Sequence, residues 1–326
     1  MYHALSEQGL SLIQQAHQFA PTYSIRLSNH LPMAITAMER LGATREQLIA
    51  QYQDASRALE PLAAPKQGIT PELGNSEHVA EFIEHFSRKL HETGLEATIS
   101  NTLPTLLPGI AAGSFHAVIR LAYAIEREDN NEISHALAYW SAGYTPLGAI
   151  RESESLNADD QLNHALMMFY DQRYSDGIMI DHVEELITLD AYPLSATQPA
   201  TLPIEDVARV VLNQYIASND FTLLHGVTGL QALHSLKPYL PDFDVALKYY
   251  WQAYVAAACT ARYREPTKPS NPVESVSPDW PTWFKQANAT GDDHTIKLTY
   301  SCARLYEALD LPEALHAIHF RLEGSQ

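Results

Sequence analysis

The chain has 326 residues, 46% of them hydrophobic, which is enough for a sizeable core in one large domain or two. Acidic residues outnumber basic ones by 39 to 21, and the formal charge of -18 disfavours binding to nucleic acid or to an anionic membrane surface. The two cysteines lack a disulfide-framework spacing, the N-terminus lacks a signal-peptide pattern, and no apolar stretch has the roughly 18 residues of a membrane helix. The composition therefore predicts a soluble, cytoplasmic protein.

Helical periodicity dominates the chain, and no run of alternating apolar and polar residues indicates a strand. Apolar spacing, capping residues and glycine stops predict helices over residues 31–41, 44–59, 76–94, 109–126, 131–144, 159–174, 204–217, 220–237 and 242–263. Residues 190–203 and 266–281 are rich in Pro, Ser and Thr and are predicted to be loops. Neither loop marks a domain boundary, so we predict one all-α domain over residues 1–326 that encloses a central metal and substrate cavity.

Four histidines and one lysine stand out, because each histidine lies near the start of, or within, an apolar helical segment rich in small residues. The histidines are His30, His116, His225 and His294, and Lys297 shares a helical face with His294. Imidazole is the commonest metal ligand among side chains, and burying several imidazoles without partners is costly. The pattern therefore predicts a metal centre inside a helical protein.

Each of these residues also has an ordinary structural interpretation, which the sequence leaves open. His30, at a helix entrance, can be hydrogen-bonded to a neighbouring loop, and a carboxylate would satisfy a buried His116 as well as a metal. Lys297 can be a surface lysine whose stem lies on apolar neighbours. His225 lies among small residues that suit a tight buried site, whereas His234, nine residues later, faces the opposite side of the helix.

Aromatic side chains near these segments are candidate walls of a substrate cavity, although aromatic residues at helical spacing are more often plain core. The candidates are Phe115, Tyr123, Tyr250, Trp251 and Tyr254. The sequence has no glycine-rich dinucleotide fingerprint, phosphate-binding loop, Gly-x-Ser-x-Gly elbow, His-Glu-x-x-His motif or His-Asp dipeptide. A Rossmann-type flavin or nicotinamide site is therefore not expected, and neither is a helical phosphohydrolase built around a His-Asp pair.

The segments that carry the histidines resemble the questin oxidase family in their order and spacing. They are residues 29–32 (NHLP), 41–43 (LGA), 108–117 (PGIAAGSFHA), 225–233 (HGVTGLQAL) and 293–297 (DHTIK), and the resemblance extends from about residue 20 to about residue 310. It implies a largely helical oxygenase that acts on polycyclic aromatic quinones by Baeyer–Villiger-type or ring-cleaving chemistry. It also implies an iron centre held by four histidines and a carboxylated lysine, which carry over onto His30, His116, His225, His294 and Lys297. NADPH enters as a cofactor through this resemblance alone.

These expectations combine into a metal-dependent oxygenase or oxidase that uses O2 on an aromatic or quinone-like small molecule, with Fe(II) as the divalent metal. Two other classes stay open. One is a non-catalytic helical protein that binds a small molecule or serves as a scaffold, and the other is a metal-dependent hydrolase on the same fold. The sequence indicates neither the substrate nor an oligomeric state.

Overall fold

The computed structural model describes residues 1–265 and 276–324. Helices dominate it, and the predicted all-α fold is confirmed. The first eight helices are α1 (Glu7–Ala16), α2 (Leu31–Arg40), α3 (Arg45–Ser56), α4 (Val79–Thr93), α5 (Leu95–Leu106), α6 (His116–Arg127), α7 (Asn130–Ala142) and α8 (Ala158–Met168). The next eight are α9 (Met179–Leu186), α10 (Tyr192–Ser195), α11 (Ile204–Ser218), α12 (Phe221–Ser235), α13 (Phe243–Thr260), α14 (Trp280–Thr290), α15 (Asp293–Leu309) and α16 (Pro312–Glu323).

The remaining regular elements are short connections between helices. Strands β1 (Thr22–Tyr23) and β2 (Leu27–Ser28) pair antiparallel, and strands β3 (Arg151–Ser153) and β4 (Thr197–Pro199) pair parallel. Single 3-10 turns occupy Ser76–His78, Leu107–Gly109 and Lys237–Tyr239. None of these elements is long enough to form a sheet layer, so the core is built by helices. No helix in the described ranges is long and apolar enough to cross a membrane.

Two predicted helix boundaries follow from side-chain chemistry visible in the sequence. The Thr44 hydroxyl accepts a hydrogen bond from the Gln47 N–H at 3.3 Å, and the Gln47 side chain accepts one from the Thr44 N–H at 2.8 Å. This capping box begins α3 as predicted. Gly94 ends α4 with a φ of 79°, a left-handed conformation that glycine adopts without steric cost.

One helix begins later than predicted, and the difference matters for the site. We expected a helix over residues 109–126, but α6 begins only at His116. The three residues before it are left-handed, with φ values of 56° at Gly113, 60° at Ser114 and 68° at Phe115. Apolar periodicity does not reveal a change in φ, so the predicted helix included the residues of this turn. The turn places His116 at a helix N-terminus instead of in a helix interior.

Two further predictions need correction. The helix expected over residues 159–174 ends at Met168, and the loop expected over residues 190–203 contains α10 and strand β4. Helix α10 has a proline in its first turn, where the missing N–H is not needed. The loop expected over residues 266–281 lies mostly outside the described residues, and α14 already begins at Trp280.

The helices that carry the four histidines pack against one another in a closed ring. Helix α2 contacts α6, α6 contacts α12, α12 contacts α15, and α15 contacts α2. The middle of α12, from Leu223 to Leu233, is buried at every position, as expected for a helix that is apolar on all sides. The buried apolar side chains of the described residues form one continuous cluster around this ring.

Candidate metal centre

Four helix N-termini meet at one point, and each carries one of the predicted histidines. His30 is the N-cap residue of α2, His116 is the first residue of α6, and His294 is the second residue of α15. His225 lies at the end of the first turn of α12. Because the four helices form a ring, residues that are far apart in the sequence become neighbours. We call these four side chains the histidine cluster.

The four imidazole rings are in direct contact. Ring centroids are 4.4 Å apart for His30 and His116, 4.6 Å for His116 and His225, 4.7 Å for His30 and His294, and 5.3 Å for His225 and His294. Ligand nitrogens of His30, His116 and His294 all lie within 4.8 Å of one another. Imidazolium ions this close in a buried place would repel strongly, so the arrangement requires neutral rings.

Two of the rings are oriented by backbone carbonyls of their own segments. His116 Nδ1 lies 2.6 Å from the Gly113 carbonyl oxygen, and His225 Nδ1 lies 2.7 Å from the Phe221 carbonyl oxygen. A carbonyl can only accept, so both Nδ1 atoms carry the proton and both Nε2 atoms keep a free lone pair. The left-handed turn before α6 brings the Gly113 carbonyl to this position, so its backbone strain serves the site.

The other two rings share one carboxylate. Asp293 Oδ2 accepts a hydrogen bond from His30 Nδ1 at 2.6 Å, and Oδ1 accepts one from His294 Nδ1 at 2.7 Å. Burial alone would raise the pKa of the Asp293 carboxyl, but the charge of Lys297 and the two imidazole donors hold it well below its usual range. Asp293 thus stays ionised behind the rings. Sequence reasoning did not assign it, although it directly precedes His294 at the start of α15.

With each Nδ1 occupied, the Nε2 atoms are left over. Nε2 of His116, His225 and His294 is buried and has no hydrogen-bond partner in the part of the chain that the structure describes. Burial and neighbouring charges lower the pKa of His30 to about 4 and hold those of His116 and His225 well below their usual range. The rings of His30, His116 and His225 are therefore neutral at pH 7, and no described residue satisfies the Nε2 lone pairs of His116 and His225.

Lys297 lies beside the cluster and is also unpaired. Only 2% of its surface is exposed, and it makes no ion pair with a carboxylate of the described ranges. Its charge lowers the pKa of His30, His116 and His225, so it lies near enough to act on three of the rings electrostatically. Burial lowers the pKa of Lys297 itself, despite the opposing charges of nearby aspartates. An unpaired buried lysine is a frequent mark of a functional site.

A cavity of about 980 Å³ opens onto all four histidines, and we call it the histidine cavity. Its volume lies within the range of roughly 300 to 1,000 Å³ seen for small-molecule sites. Polar and aromatic residues that also line it include Tyr23, Ser114, His182, Phe221, Thr222 and Tyr263. A second cavity of about 510 Å³ reaches His30 and Asp293 from the side of α3, so the cluster is approached from two directions.

The aromatic residues predicted as cavity walls lie elsewhere. Phe115, Tyr123, Tyr250, Trp251 and Tyr254 are all buried in the core, and none of them lines the histidine cavity. The α13 residues pack instead on neighbouring helices: the Tyr250 hydroxyl donates to the Gly226 carbonyl at 2.7 Å, and Trp251 Nε1 donates to the Gln161 side chain at 2.6 Å. The correction follows from helical spacing, which places such side chains between helices.

The aromatic residue that does face the cluster was missed. Phe221, the first residue of α12, is 60% exposed, and its ring centroid lies 4.6 Å from those of both His225 and His294. An exposed phenylalanine in contact with the buried ring of His225 and the partly buried ring of His294 offers an apolar face to the cavity. The signal in the sequence is its position four residues before His225, on the same helical face.

The fold and the site together define an all-helical protein whose histidines converge at helix N-termini beside a small-molecule cavity. The sequence matches the Questin oxidase-like family over residues 27–302, a range that includes the histidine cluster and Lys297. The chain belongs to this family. It is similar to the questin oxidase of Aspergillus terreus, with 22% identity in an alignment that covers 83% of this chain and 73% of that protein.

Proposed function

We propose that this protein is a metal-dependent oxygenase or oxidase that uses O2 to oxidise an aromatic or quinone-like small molecule. Membership of the Questin oxidase-like family supports an oxidoreductase, and the name of the similar Aspergillus protein supports a quinone-like substrate. We further propose Fe(II) as the metal, because imidazole and oxygen ligands suit it. NADPH remains an expectation from family resemblance.

One observation carries the metal proposal: three buried Nε2 lone pairs lack partners while Nδ1 of each of those rings is hydrogen-bonded from behind. Histidines that bind a metal commonly donate their other ring N–H to a carbonyl or carboxylate, which sets the tautomer and the orientation of the ring. The histidine cluster has both kinds of partner. The residues present therefore fit a divalent metal held by His30, His116, His225 and His294.

We propose Lys297 as a fifth ligand in its carboxylated form. Four neutral imidazoles leave the charge of a divalent ion uncompensated in a buried place, and one anionic ligand halves that charge. A carbamate forms when a neutral amine adds carbon dioxide, and burial favours the neutral amine of Lys297 by lowering its pKa. The lysine also lacks a carboxylate partner among the described residues, so no ion pair must be broken.

The chain itself supplies orientation and a binding surface. When bound, an Fe(II) ion would supply electron exchange with O2. Asp293 accepts hydrogen bonds from Nδ1 of His30 and His294, which fixes the tautomer that leaves Nε2 of both rings available to a metal. Phe221 presents its exposed face at the cavity, where an aromatic ring can stack against it. The substrate is thereby held beside the histidine cluster.

Metal analysis of protein purified without an affinity tag tests the site. We expect one equivalent of metal in the wild type and loss of metal in His116→Ala and in His225→Ala. His135→Ala is the matched control, because His135 is also a buried histidine but lies outside the cluster. Unchanged metal content in both cluster variants would refute the assignment.

A separate measurement tests the carbamate. Metal-free protein should bind the metal more weakly in degassed, bicarbonate-free buffer than with bicarbonate added. Lys297→Glu supplies a shorter carboxylate and should lose this dependence on bicarbonate. Equal wild-type affinity in the two buffers would show that Lys297 is not a carbamate ligand and would leave the histidine assignment intact.

Oxygen uptake by the iron-loaded protein with a panel of hydroxyanthraquinones tests the reaction. Product that contains oxygen from O2 supports the proposed function. Binding without turnover would instead identify a non-catalytic binding protein. Cleavage of acetyl esters of the same hydroxyanthraquinones without oxygen uptake would identify a metal-dependent hydrolase.

A further inference from the structure

A small cavity of about 220 Å³ adjoins the histidine cavity and is lined by three arginines, Arg173, Arg262 and Arg264. We call it the arginine pocket. Three arginines around one small volume are unexpected in a chain whose formal charge is -18. Guanidinium groups bind carboxylates and other oxyanions through paired hydrogen bonds, so the pocket has the chemistry of an anion site.

None of the three guanidinium groups forms an ion pair with a carboxylate of the described ranges. Arg264 Nη1 donates to the carbonyl oxygens of Phe169 and Gln172, both at 2.8 Å. Arg173 likewise meets only carbonyl oxygens, at 3.4 and 3.5 Å. The exposed side chain of Arg262 has no hydrogen-bond or ion-pair partner among the described residues. Carbonyl partners orient a guanidinium but leave its charge available.

The backbone of Arg262, in contrast, is held firmly in place by Asp220. Asp220 Oδ2 accepts from the backbone N–H groups of Arg262 and Tyr263 at 3.1 and 3.3 Å. Its Oδ1 accepts from Thr222 and Leu223 at the start of α12, at 2.7 and 3.3 Å. Asp220 thus connects the segment of Arg262 and Tyr263 to the start of α12, the helix that carries His225. Its oxygens are engaged by four backbone donors, while the Arg262 side chain stays free.

Arg262 also lies on the boundary between the two cavities, because it lines both the arginine pocket and the histidine cavity. Arg26 is the other arginine on the wall of the histidine cavity. It is paired with Asp181 at 2.5 Å and with Glu184 at 2.9 Å. Arg262 is therefore the cation that a ligand in the histidine cavity can reach without breaking an ion pair of the described structure.

The charge balance of the arginine pocket indicates which anion fits. Its wall holds two carboxylates, Asp171 and Glu265, beside the three arginines, which leaves a net charge of one positive unit. We propose that the ligand of the histidine cavity carries a carboxylate that pairs with Arg262 at the arginine pocket, while its aromatic part lies beside the histidine cluster. The aromatic part of this inference rests on the proposed function, and the carboxylate part rests on the pocket alone.

A matched pair of ligands tests the inference in the metal-loaded protein. Calorimetry would compare anthraquinone-2-carboxylate with its neutral carboxamide. We expect the wild type to prefer the carboxylate by about 2-fold to 5-fold, the effect of one ion pair at an exposed arginine. Arg262→Gln should reduce this preference to about unity. Arg88→Gln, which changes an exposed arginine of α4 that lines neither cavity, should keep it.

Equal binding of both ligands to the wild type would overturn the inference, and so would a carboxylate preference that survives Arg262→Gln. Displacement of the carboxylate ligand by inorganic phosphate at lower concentration than by benzoate would also overturn it, because the pocket would then select a dianion. Benzoate followed by saturation-transfer NMR separates this inference from the proposed function. An Arg262-dependent benzoate signal with no quinone binding would retain the carboxylate pocket and reject the quinone-like substrate.

Discussion

In the part of the chain that the structure describes, two clusters of histidines and charged side chains are built in opposite ways. The second, which we call the Glu132 cluster, consists of His17, Arg120, Glu132 and His135. Arg120 Nε and Nη2 donate to the Glu132 carboxylate at 2.5 and 3.0 Å, and His17 Nε2 lies 2.9 Å from it. The rings of His17 and His135 stack with centroids 4.4 Å apart. Here the Glu132 carboxylate lies at the centre and accepts the hydrogen bonds of Arg120 and His17.

In the histidine cluster the carboxylate lies behind the rings. Asp293 accepts hydrogen bonds from Nδ1 of His30 and His294, and the buried Nε2 atoms of His116, His225 and His294 have no hydrogen-bond partner among the described residues. Burial of histidine is therefore not what distinguishes a candidate metal site from a structural cluster. The position of the acceptor distinguishes them, because a central carboxylate satisfies the nitrogens and a peripheral one leaves their lone pairs for another ligand.

Stability should depend most strongly on the Glu132 cluster. Burial alone would raise the pKa of Glu132, but the charge of Arg120 and the hydrogen bonds from His17 and Arg120 lower it to about 2. We expect Glu132→Gln to reduce the free energy of unfolding by about 3 to 5 kcal/mol, because Arg120 is left buried without its counter-charge. Urea denaturation measures the change.

The control for this variant is Glu84→Gln on the exposed face of α4, which should change stability by less than about 0.5 kcal/mol. Folded Glu132→Gln protein should retain its metal, because the Glu132 cluster supplies no ligand. Loss of metal without loss of stability in Glu132→Gln would contradict the division of roles between the two clusters.

The pH dependence of stability should come partly from His135. Burial and the charge of Arg120 lower its pKa from 6.5 to about 3. Because the folded-state pKa is depressed, only the unfolded state takes up this proton between pH 6.5 and 3. The free energy of unfolding is therefore unaffected by His135 above pH 6.5 and falls as the pH drops toward 3. Between pH 6.5 and 4.5 the wild type should lose about 2 kcal/mol more than His135→Phe, because the slope reaches about 1.4 kcal/mol per pH unit only below pH 6.5. Parallel pH profiles of urea unfolding for the two proteins would contradict this.

Much of the helical framework is predictable from the sequence, because apolar periodicity and local caps act within a few residues. The start of α3 at Thr44 and the end of α4 at Gly94 agree with the structure for this reason. The predicted start of α6 does not agree, because Ser114 and Phe115 take left-handed conformations that these residue types rarely adopt. Such conformations depend on tertiary contacts and are invisible to periodicity.

The candidate site shows the same division between local and tertiary information. His116 and His225 are recognisable because small apolar neighbours surround them in the sequence. Asp293 was missed because its role depends on His30, which lies 263 positions away. Phe221 was missed because its exposure follows from the arrangement of the helices around the cavity, and aromatic spacing pointed instead to core residues such as Tyr254. The assignment of a metal to the cluster stays a prediction.

Removing the peripheral carboxylate should weaken metal binding without unfolding the protein. Asp293→Asn keeps the shape of the side chain but removes the charge that orients His30 and His294. We expect the affinity for the metal to fall about 10-fold to 100-fold, as is typical for partners behind a ligand. Asp242→Asn is the control, because Asp242 caps α13 outside the cluster and asparagine caps equally well. Equal losses in the two variants would attribute the effect to the loss of a helix-capping carboxylate in general and not to the carboxylate behind the rings.

The smallest expected effect has the opposite sign and concerns Lys297 in metal-free protein. Burial depresses the folded-state pKa of this lysine below its usual 10.5. Below pH 10.5 the unfolded state therefore binds the proton more tightly than the folded state, which lowers the free energy of unfolding. This loss is reversed as the pH rises and the amine loses its proton. Lys297→Met keeps an unbranched side chain that is one atom shorter and removes the buried amine. In bicarbonate-free buffer at pH 7.5 we expect this variant to be more stable than the wild type by about 1 kcal/mol.

The matched substitution in the other cluster, Arg120→Met, should be destabilising, because it strands the Glu132 carboxylate in the core. The contrast between the two variants is informative because both replace a buried cation by the same apolar residue. Removing a cation that stabilises the fold lowers the free energy of unfolding, whereas removing one that is kept for function does not. Raising the pH from 7.5 toward 10.5 should reduce the difference in free energy of unfolding between Lys297→Met and the wild type. If Lys297→Met instead destabilises the metal-free protein as much as Arg120→Met does, Lys297 is a structural residue with a partner in the fold, and its place in the metal centre is wrong.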